Sequence, residues 1–152
     1  MPHIHEKIDF TVEVFVVYKD KVLLRKHDKY HIWLSVGGHV ELNEDPVQAA
    51  LREVKEEVGL DVTALDSREF KRKDEHYEEL IVPIGLNRHR ISPTHEHVTM
   101  IYFASSNSEK VIPEKETDIW KWCDIQDIDK LEDIPPDVIY YAKKALDVMR
   151  GK

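Results

Sequence analysis

Two periodicities divide this chain. From Phe10 to Lys26, β-branched, aromatic and aliphatic residues (TVEVFVVY, then KVLLRK) flank the polar pair Lys19 and Asp20, which predicts a β-hairpin whose turn lacks the usual glycine. A polar loop follows from His27 to His31, then a short apolar piece, Ile32 to Val36, that stops at Gly37 and Gly38. The glycine pair permits a tight, left-handed backbone close to a ligand. From Asp45 the period lengthens from two to 3.6. Asp45, Pro46 and Gln48 stand in order as capping side chain, first-turn proline and capping-box partner, and Gly59 is placed to end the helix. Val47, Ala50, Leu51, Val54 and Val58 form one apolar stripe along it.

Beyond that helix, Val62 to Phe70, Leu80 to Leu86, His97 to Ser105 and the shorter Ile119 to Cys123 read as strands. A second helix is expected over Pro136 to Met149, where Val138, Tyr141, Ala142, Ala145, Leu146 and Met149 share a face. Strands mixed with two helices at these spacings predict an α+β fold, a sheet with helices on both sides. At 152 residues the chain has room for one domain, residues 1–152, and not for two.

Composition narrows the function. Apolar residues make up 41% and charged residues 34%, enough for a core under a highly charged surface. Lys plus Arg number 22 against 30 Asp plus Glu, a net charge of −8, which is the wrong sign for neutralising the backbone of a nucleic-acid duplex. A phosphate ligand therefore needs a metal or a local basic patch. With Cys123 alone, no intrachain disulfide forms, as in a reducing compartment. The longest apolar runs, Val14 to Tyr18 and Met100 to Ala104, are five residues, far below the roughly 20 that span a bilayer. The first residues, MPHIHEKIDF, lack the apolar stretch of a secretory signal, so no membrane segment and cytoplasmic residence are expected.

The informative stretch is GHVELNEDPVQAALREVKEEVGL, Gly38 to Leu60. On a helix, Glu57 lies about 40° to one side of Glu53 and Glu56 about 60° to the other. All three carboxylates are thus expected on one face, away from the apolar stripe, with the small Ala49 leaving room one turn earlier. Like charges so spaced repel by about 0.2–0.5 kcal/mol per pair, and a divalent cation offsets this directly. Oxygen ligands suit Mg²⁺ or Mn²⁺ rather than Zn²⁺. The helix alone reads equally well as a solvated face in which Arg52 pairs with Glu56.

The pattern as a whole decides between them. Gly38, Glu44, Arg52, Glu53, Val54, Glu56, Glu57, Gly59 and Leu60 fill every fixed position of G-x5-E-x7-R-E-U-x-E-E-x-G-U, with U aliphatic, and the chain resembles the Nudix hydrolases. A chance match is on the order of one in a million. The resemblance is specific over the box and looser elsewhere, taking in the hairpin before it and the segment from Glu116 to Trp122. Val36 departs from the proline that many members carry before the glycine pair.

The resemblance implies a Nudix-type α/β/α sandwich with a mixed β-sheet. It also implies metal-dependent hydrolysis of a diphosphate linkage in a nucleoside diphosphate or triphosphate, or in a derivative, by water attack at phosphorus. By carry-over, Glu53, Glu56 and Glu57 are ligands of Mg²⁺ or Mn²⁺, joined by a backbone carbonyl of Gly38 or Gly37. Glu53, Arg52 and Glu57 are the expected catalytic residues, Arg52 orienting a carboxylate. Glu44 would steady the loop or reach a metal through water. The general base stays open among Glu53, Glu96, Glu114 and Glu116.

For the substrate, Arg25, Lys26 and the Arg88-His89-Arg90 cluster are candidate phosphate contacts. Tyr77 falls where some relatives that cleave diadenosine polyphosphates carry a tyrosine. Trp33, Tyr30 and Phe103 are candidates to stack a base. His3-x-His5 and His95-x-His97 each put two imidazoles on one face of a strand, a weaker pointer to a second metal. Two other functions share the fold: a nucleotide sensor that does not cleave, for which three ligating glutamates have no chemical use, and an isoprenoid diphosphate isomerase, which needs a pocket cysteine. Many relatives form homodimers, and no feature here identifies an interface.

Overall fold

A computed structural model describes residues 4–150 of the chain. The expected hairpin is β1, Ile8–Tyr18, and β2, Lys21–Lys26. Its two-residue turn places Lys19 at φ 53°, so a lysine occupies the left-handed region in place of the absent glycine. Then come β3 (Trp33–Leu34), β4 (Val36–His39), α1 (Pro46–Val58), β5 (Val62–Ala64), β6 (Gly85–Ser92), β7 (His95–Ser106), β8 (Ile119–Cys123), α2 (Ile125–Lys130) and α3 (Pro136–Val148).

These strands form one mixed sheet, ordered β3-β2-β1-β7-β5, with β4 also on β1, β6 on β7 and β8 on β2. The long parallel pair β1 and β7 runs in register from Ile8 and Glu96 to Val17 and Ser105. Because side chains alternate across a strand, β1 feeds two cores at once. Val12, Val14 and Val16 pack under Ala49, Ala50, Val54 and Val58 of α1, while Phe15 and Val17 pack under Val138, Ala142, Ala145 and Leu146 of α3. Helices on both faces make the α/β/α sandwich that the sequence led us to expect.

The helix α1 starts and stops where its caps dictate. The Asp45 carboxylate accepts the Gln48 backbone N–H at 2.9 Å, the Gln48 side chain accepts the Asp45 N–H at 2.9 Å, and Pro46 opens the first turn. Gly59 closes the helix at φ 69°, a conformation in which a side chain is strained.

The fifth and sixth strands depart most from their expected bounds. The strand expected over Val62 to Phe70 ends at Ala64. Past it the chain is mostly charged and has no alternation to bury, and Arg68 instead folds back on Asp66 with Nη2 to Oδ2 at 2.6 Å. The strand expected over Leu80 to Leu86 begins only at Gly85, since Pro83 has no N–H for a ladder. It runs on through Arg88, His89 and Arg90, which are exposed and therefore carry no apolar signal. The short helix α2 escaped the sequence reading, although Asp124 and Asp127 cap it reciprocally. None of the helices is long and apolar enough to cross a membrane among the described residues.

Phe15 is fully buried and meets Phe103 edge to face at 6.1 Å. Phe103 is therefore a core residue, not a base-stacking one. Trp33 packs partly against the same cluster, and Tyr30 is exposed and stacked on His27. Phe15→Ala is expected to cost about 3–5 kcal/mol in chemical denaturation, through lost burial and the cavity left between α3 and the sheet.

Candidate active site

The acidic face of α1 is not separate from its apolar stripe. Glu53 and Glu57 are 5% and 9% exposed, buried with Ala49, Ala50, Val54 and Val58, whereas Leu51 of the expected stripe is 41% exposed. Ala49 is fully buried, packed in the core with Ala50, Val54 and Val58. Glu56 alone of the three carboxylates turns outward, its side chain 53% exposed.

The partner that admits the two buried carboxylates is β4. Gly37 and Gly38 are not in the left-handed region; they lie in an extended strand paired with Glu13 and Val12. Their smallness is used for space. A Cβ on Gly38 would stand 2.2 Å from Glu53 Oε1, so the carboxylate occupies the volume that any other residue would fill. Beside it, the Gly37 backbone N–H donates to Glu57 Oε1 at 3.0 Å.

Two arginines balance this charge. Arg52 donates through Nε to Glu44 Oε2 at 3.0 Å and through Nη2 to Glu44 Oε1 at 2.6 Å, a bidentate fork. Its Nη1 reaches Glu53 Oε1 at 3.0 Å and Glu56 Oε2 at 3.1 Å, and Nη2 also donates to the His39 carbonyl at 3.0 Å. The carboxylate that Arg52 grips most firmly is thus Glu44, which in turn accepts the Glu41 backbone N–H at 3.0 Å. Arg25, from β2, donates to Glu57 Oε2 at 3.2 Å and lies over the Trp120 ring at 5.9 Å.

Hydrogen bonds from Arg52 hold the Glu44 carboxyl below its ordinary range. Burial works the other way on the inner pair. It pushes Glu53 up to about 7 against the pull of Arg52, and Glu57 up to about 7 against the Gly37 N–H and Arg25. The charge of Glu114 adds to the rise at Glu53. Of the acids outside the box considered as a base, Glu114 is the one whose charge reaches this cluster; its backbone N–H also donates to the Glu57 carbonyl at 3.1 Å. Glu96 instead pairs with Arg88 at 3.4 Å.

Glu53, Glu56, Glu57, Arg52, Gly38 and Arg25 therefore come together. Tyr77 and Arg88 have other partners. The Tyr77 hydroxyl donates to Glu79 with Arg72 over its ring, and Arg88 sits on β6 beside Glu96. No contact joins either residue to the carboxylates among the described residues. The sequence reading missed Trp120 as the support of Arg25, because that contact crosses from β2 to its neighbour β8 and has no local signature.

An all-oxygen donor set suits Mg²⁺ or Mn²⁺, and two buried carboxylates that take up protons near neutrality are short of positive charge, so these residues fit such an ion. Cys123 lies elsewhere, buried in the core, its thiol pushed up to about 11 by burial, which removes the pocket cysteine an isomerase needs.

A NUDIX domain model matches residues 9–143. A hydrolase of the NUDIX family from Clostridium perfringens superposes with a TM-score of 0.81 at 36% identity, over 93% of this chain and 98% of that one. A Caenorhabditis elegans bis(5'-nucleosyl)-tetraphosphatase is 30% identical over 112 residues, 74% of this chain and 72% of that protein. The dihydroneopterin triphosphate diphosphatase of Escherichia coli K12 is 50% identical over 46 residues, a match that spans 30% of this chain and 31% of that relative.

The raised carboxylates have a measurable consequence. A carboxyl whose folded value lies above its usual 4.5 stabilises the fold below that value, and the contribution is lost as pH rises through about 7. A divalent cation held by these oxygens would compete with the proton for them. Mg²⁺ is therefore expected to raise Tm more at about pH 8 than at about pH 5.5, and Glu57→Gln to shrink the increment at the higher pH. Equal increments at both pH values would count against this.

Proposed function

The chain belongs to the NUDIX family, and from that premise we propose that it is a metal-dependent pyrophosphohydrolase. Its substrate would be a nucleoside diphosphate or triphosphate, or a derivative of one, cleaved at a diphosphate linkage by water attack on phosphorus. The observation that carries this reading is the burial of Glu53 and Glu57 against the glycine strand, with Arg52 and Arg25 on their flanks. Burying two carboxylates side by side costs stability, and a sensor with no cation to hold would have no use for the arrangement. The matched relatives named as a diphosphatase and a tetraphosphatase point to the same bond class.

Glu53, Glu56, Glu57 and the Gly38 carbonyl would hold Mg²⁺ or Mn²⁺. Bound there, such an ion neutralises the polyphosphate, polarises its phosphoryl oxygens and makes water a better nucleophile. The chain's own residues prepare the ground. Arg52 locks Glu44 and Glu53 in one orientation, so neither must reorganise when substrate arrives. Arg25, propped by Trp120, has guanidinium donors beyond the one it gives Glu57 and is the phosphate contact nearest the carboxylates. Glu114 lies close enough for its charge to act on Glu53, and we assign the base to one of these two acids. Tyr77 and Arg88 enter only as contacts for the far end of a long substrate.

The test is a panel of nucleoside triphosphates, dinucleoside tetraphosphates, dihydroneopterin triphosphate and nucleotide sugars, each with Mg²⁺ or Mn²⁺, read by released phosphate and nucleotide. Turnover of at least one is expected. Glu57→Gln should lower kcat by about 100-fold, roughly 2.7 kcal/mol of barrier, with the circular dichroism unchanged. No cleavage of any phosphoanhydride with either ion would sink the proposal. Gly38→Ala is expected to lower kcat by at least about tenfold, because its methyl group displaces the Glu53 carboxylate.

A further inference from the structure

The opposite face of the same sheet carries a second polar cluster that the chemistry above does not use. Along β1, Asp9, Thr11 and Phe15 point away from α1, and along β7 so do His95, His97, Thr99 and Phe103. Thr11 and Thr99 hydrogen-bond across that face, Oγ1 to Oγ1, at 2.6 Å. At its lower end Asp9 and His95 are buried and His97 is half-buried, and one ligand atom from each lies within 4.8 Å of the other two. His39, opposite Thr11 on β4, joins them with Nε2 3.1 Å from Asp9 Oδ2.

We propose that Asp9, His95 and His97 form a binding site for a borderline divalent cation of the zinc type, distinct from the carboxylate site on α1. Two imidazoles and one carboxylate are a donor set that Zn²⁺ takes with its fourth position open. A tetrahedral zinc with ligands at about 2.0–2.1 Å has ligand-to-ligand edges of about 3.3–3.4 Å. The His95 Nε2 to Asp9 Oδ2 distance is already 3.3 Å.

The surroundings are those of a metal ligand set. The His95 Nδ1 lies 3.0 Å from the Glu6 carbonyl, which can only accept, so Nδ1 carries the proton and Nε2 turns toward Asp9. Nε2 then offers a lone pair to an anionic oxygen, which demands a cation between them, either a proton or a metal ion. Asp9 is aimed in the same way: its carboxylate accepts the backbone N–H of His5 at 2.6 Å and of Ile4 at 3.1 Å, while His39 holds it from the side. His97, half-buried, brings its ring to the same point, beside Asp9 in strand register and against the rings of His95 and His39. The His97 ring also meets the exposed His89 edge-on, and His89 marks the way in from solvent.

The strand pair His95-x-His97 was legible beforehand as two imidazoles without a third ligand. The fold supplies it from Asp9, 86 positions earlier, because β1 and β7 run parallel in register with Asp9 beside His97. His3, of the other histidine pair, lies outside the described residues.

The full-length protein, stripped with a chelator and returned to saturating Mg²⁺, is titrated with Co²⁺ by visible absorption and with Zn²⁺ by calorimetry. One equivalent of Zn²⁺ is expected to bind despite Mg²⁺, and Co²⁺ to give four-coordinate bands that Zn²⁺ abolishes. His97→Asn should weaken Zn²⁺ at least tenfold, while Glu57→Gln and His5→Ala leave it unchanged. X-ray absorption at the zinc edge of the unmutated protein should show imidazole scattering, a readout that depends on no variant folding. No Zn²⁺ bound under saturating Mg²⁺, a zinc shell without imidazole, or Zn²⁺ lost in Glu57→Gln or His5→Ala but kept in His97→Asn would each overturn the proposal. Because the readout is binding under saturating Mg²⁺, it fails or succeeds independently of any turnover at Glu57.

Discussion

The site depends on a backbone too narrow to resist two acids. Gly38 in β4 has no side chain where the Glu53 carboxylate lies, and the neighbouring Gly37 N–H is aimed at Glu57. Ionised carboxylates in an apolar core are unfavourable by several kcal/mol each unless cations and hydrogen bonds compensate. Here the compensation comes from Arg52 and Arg25, which reach in from the same helix and from a strand 32 residues earlier. Against these donors burial still prevails and, helped by the neighbouring carboxylates, raises the proton affinity of both acids.

Arg52 shows how one residue ties local and tertiary structure together. It serves Glu44 in the loop, Glu53 and Glu56 on its own helix, and the carbonyl of His39 at the end of β4. A lysine offers one charged point and could not hold these groups at once. Loop, helix and strand are thereby fixed to one another through a planar fork whose donors are all in use.

The long parallel pair of β1 and β7 gives the molecule two faces with different chemistry. Toward α1 the alternate positions Val12, Val14, Tyr102 and Ala104 carry the core beneath the carboxylates. Toward α3 the upper half is packed with Phe15, Ile101 and Phe103, and the lower half, which lies beyond that core, is polar: Asp9, Thr11, His95, His97 and Thr99. His39 stands between the two regions. Its ring faces Asp9 while its carbonyl accepts from Arg52, so β4 is common to both clusters.

What the sequence determined by itself was whatever depends on near neighbours. The caps of α1 at Asp45, Gln48 and Gly59, the hairpin around Lys19, and the grouping of Arg52, Glu53, Glu56 and Glu57 all arise within a few residues, where period and capping chemistry operate. The α3 helix was legible for the same reason, and β6 was not, since its exposed, charged residues have no apolar period. Tertiary structure alone decided burial and partnership. A helical wheel places Glu53 and Glu57 on a polar face and cannot know that a strand of two glycines will receive them. Nor can it show that Arg25 and Trp120 meet Glu57, or that Asp9 stands beside His97. Those contacts join positions dozens of residues apart, and strand register, set by the whole sheet, is the physical agent that brings them within bonding distance.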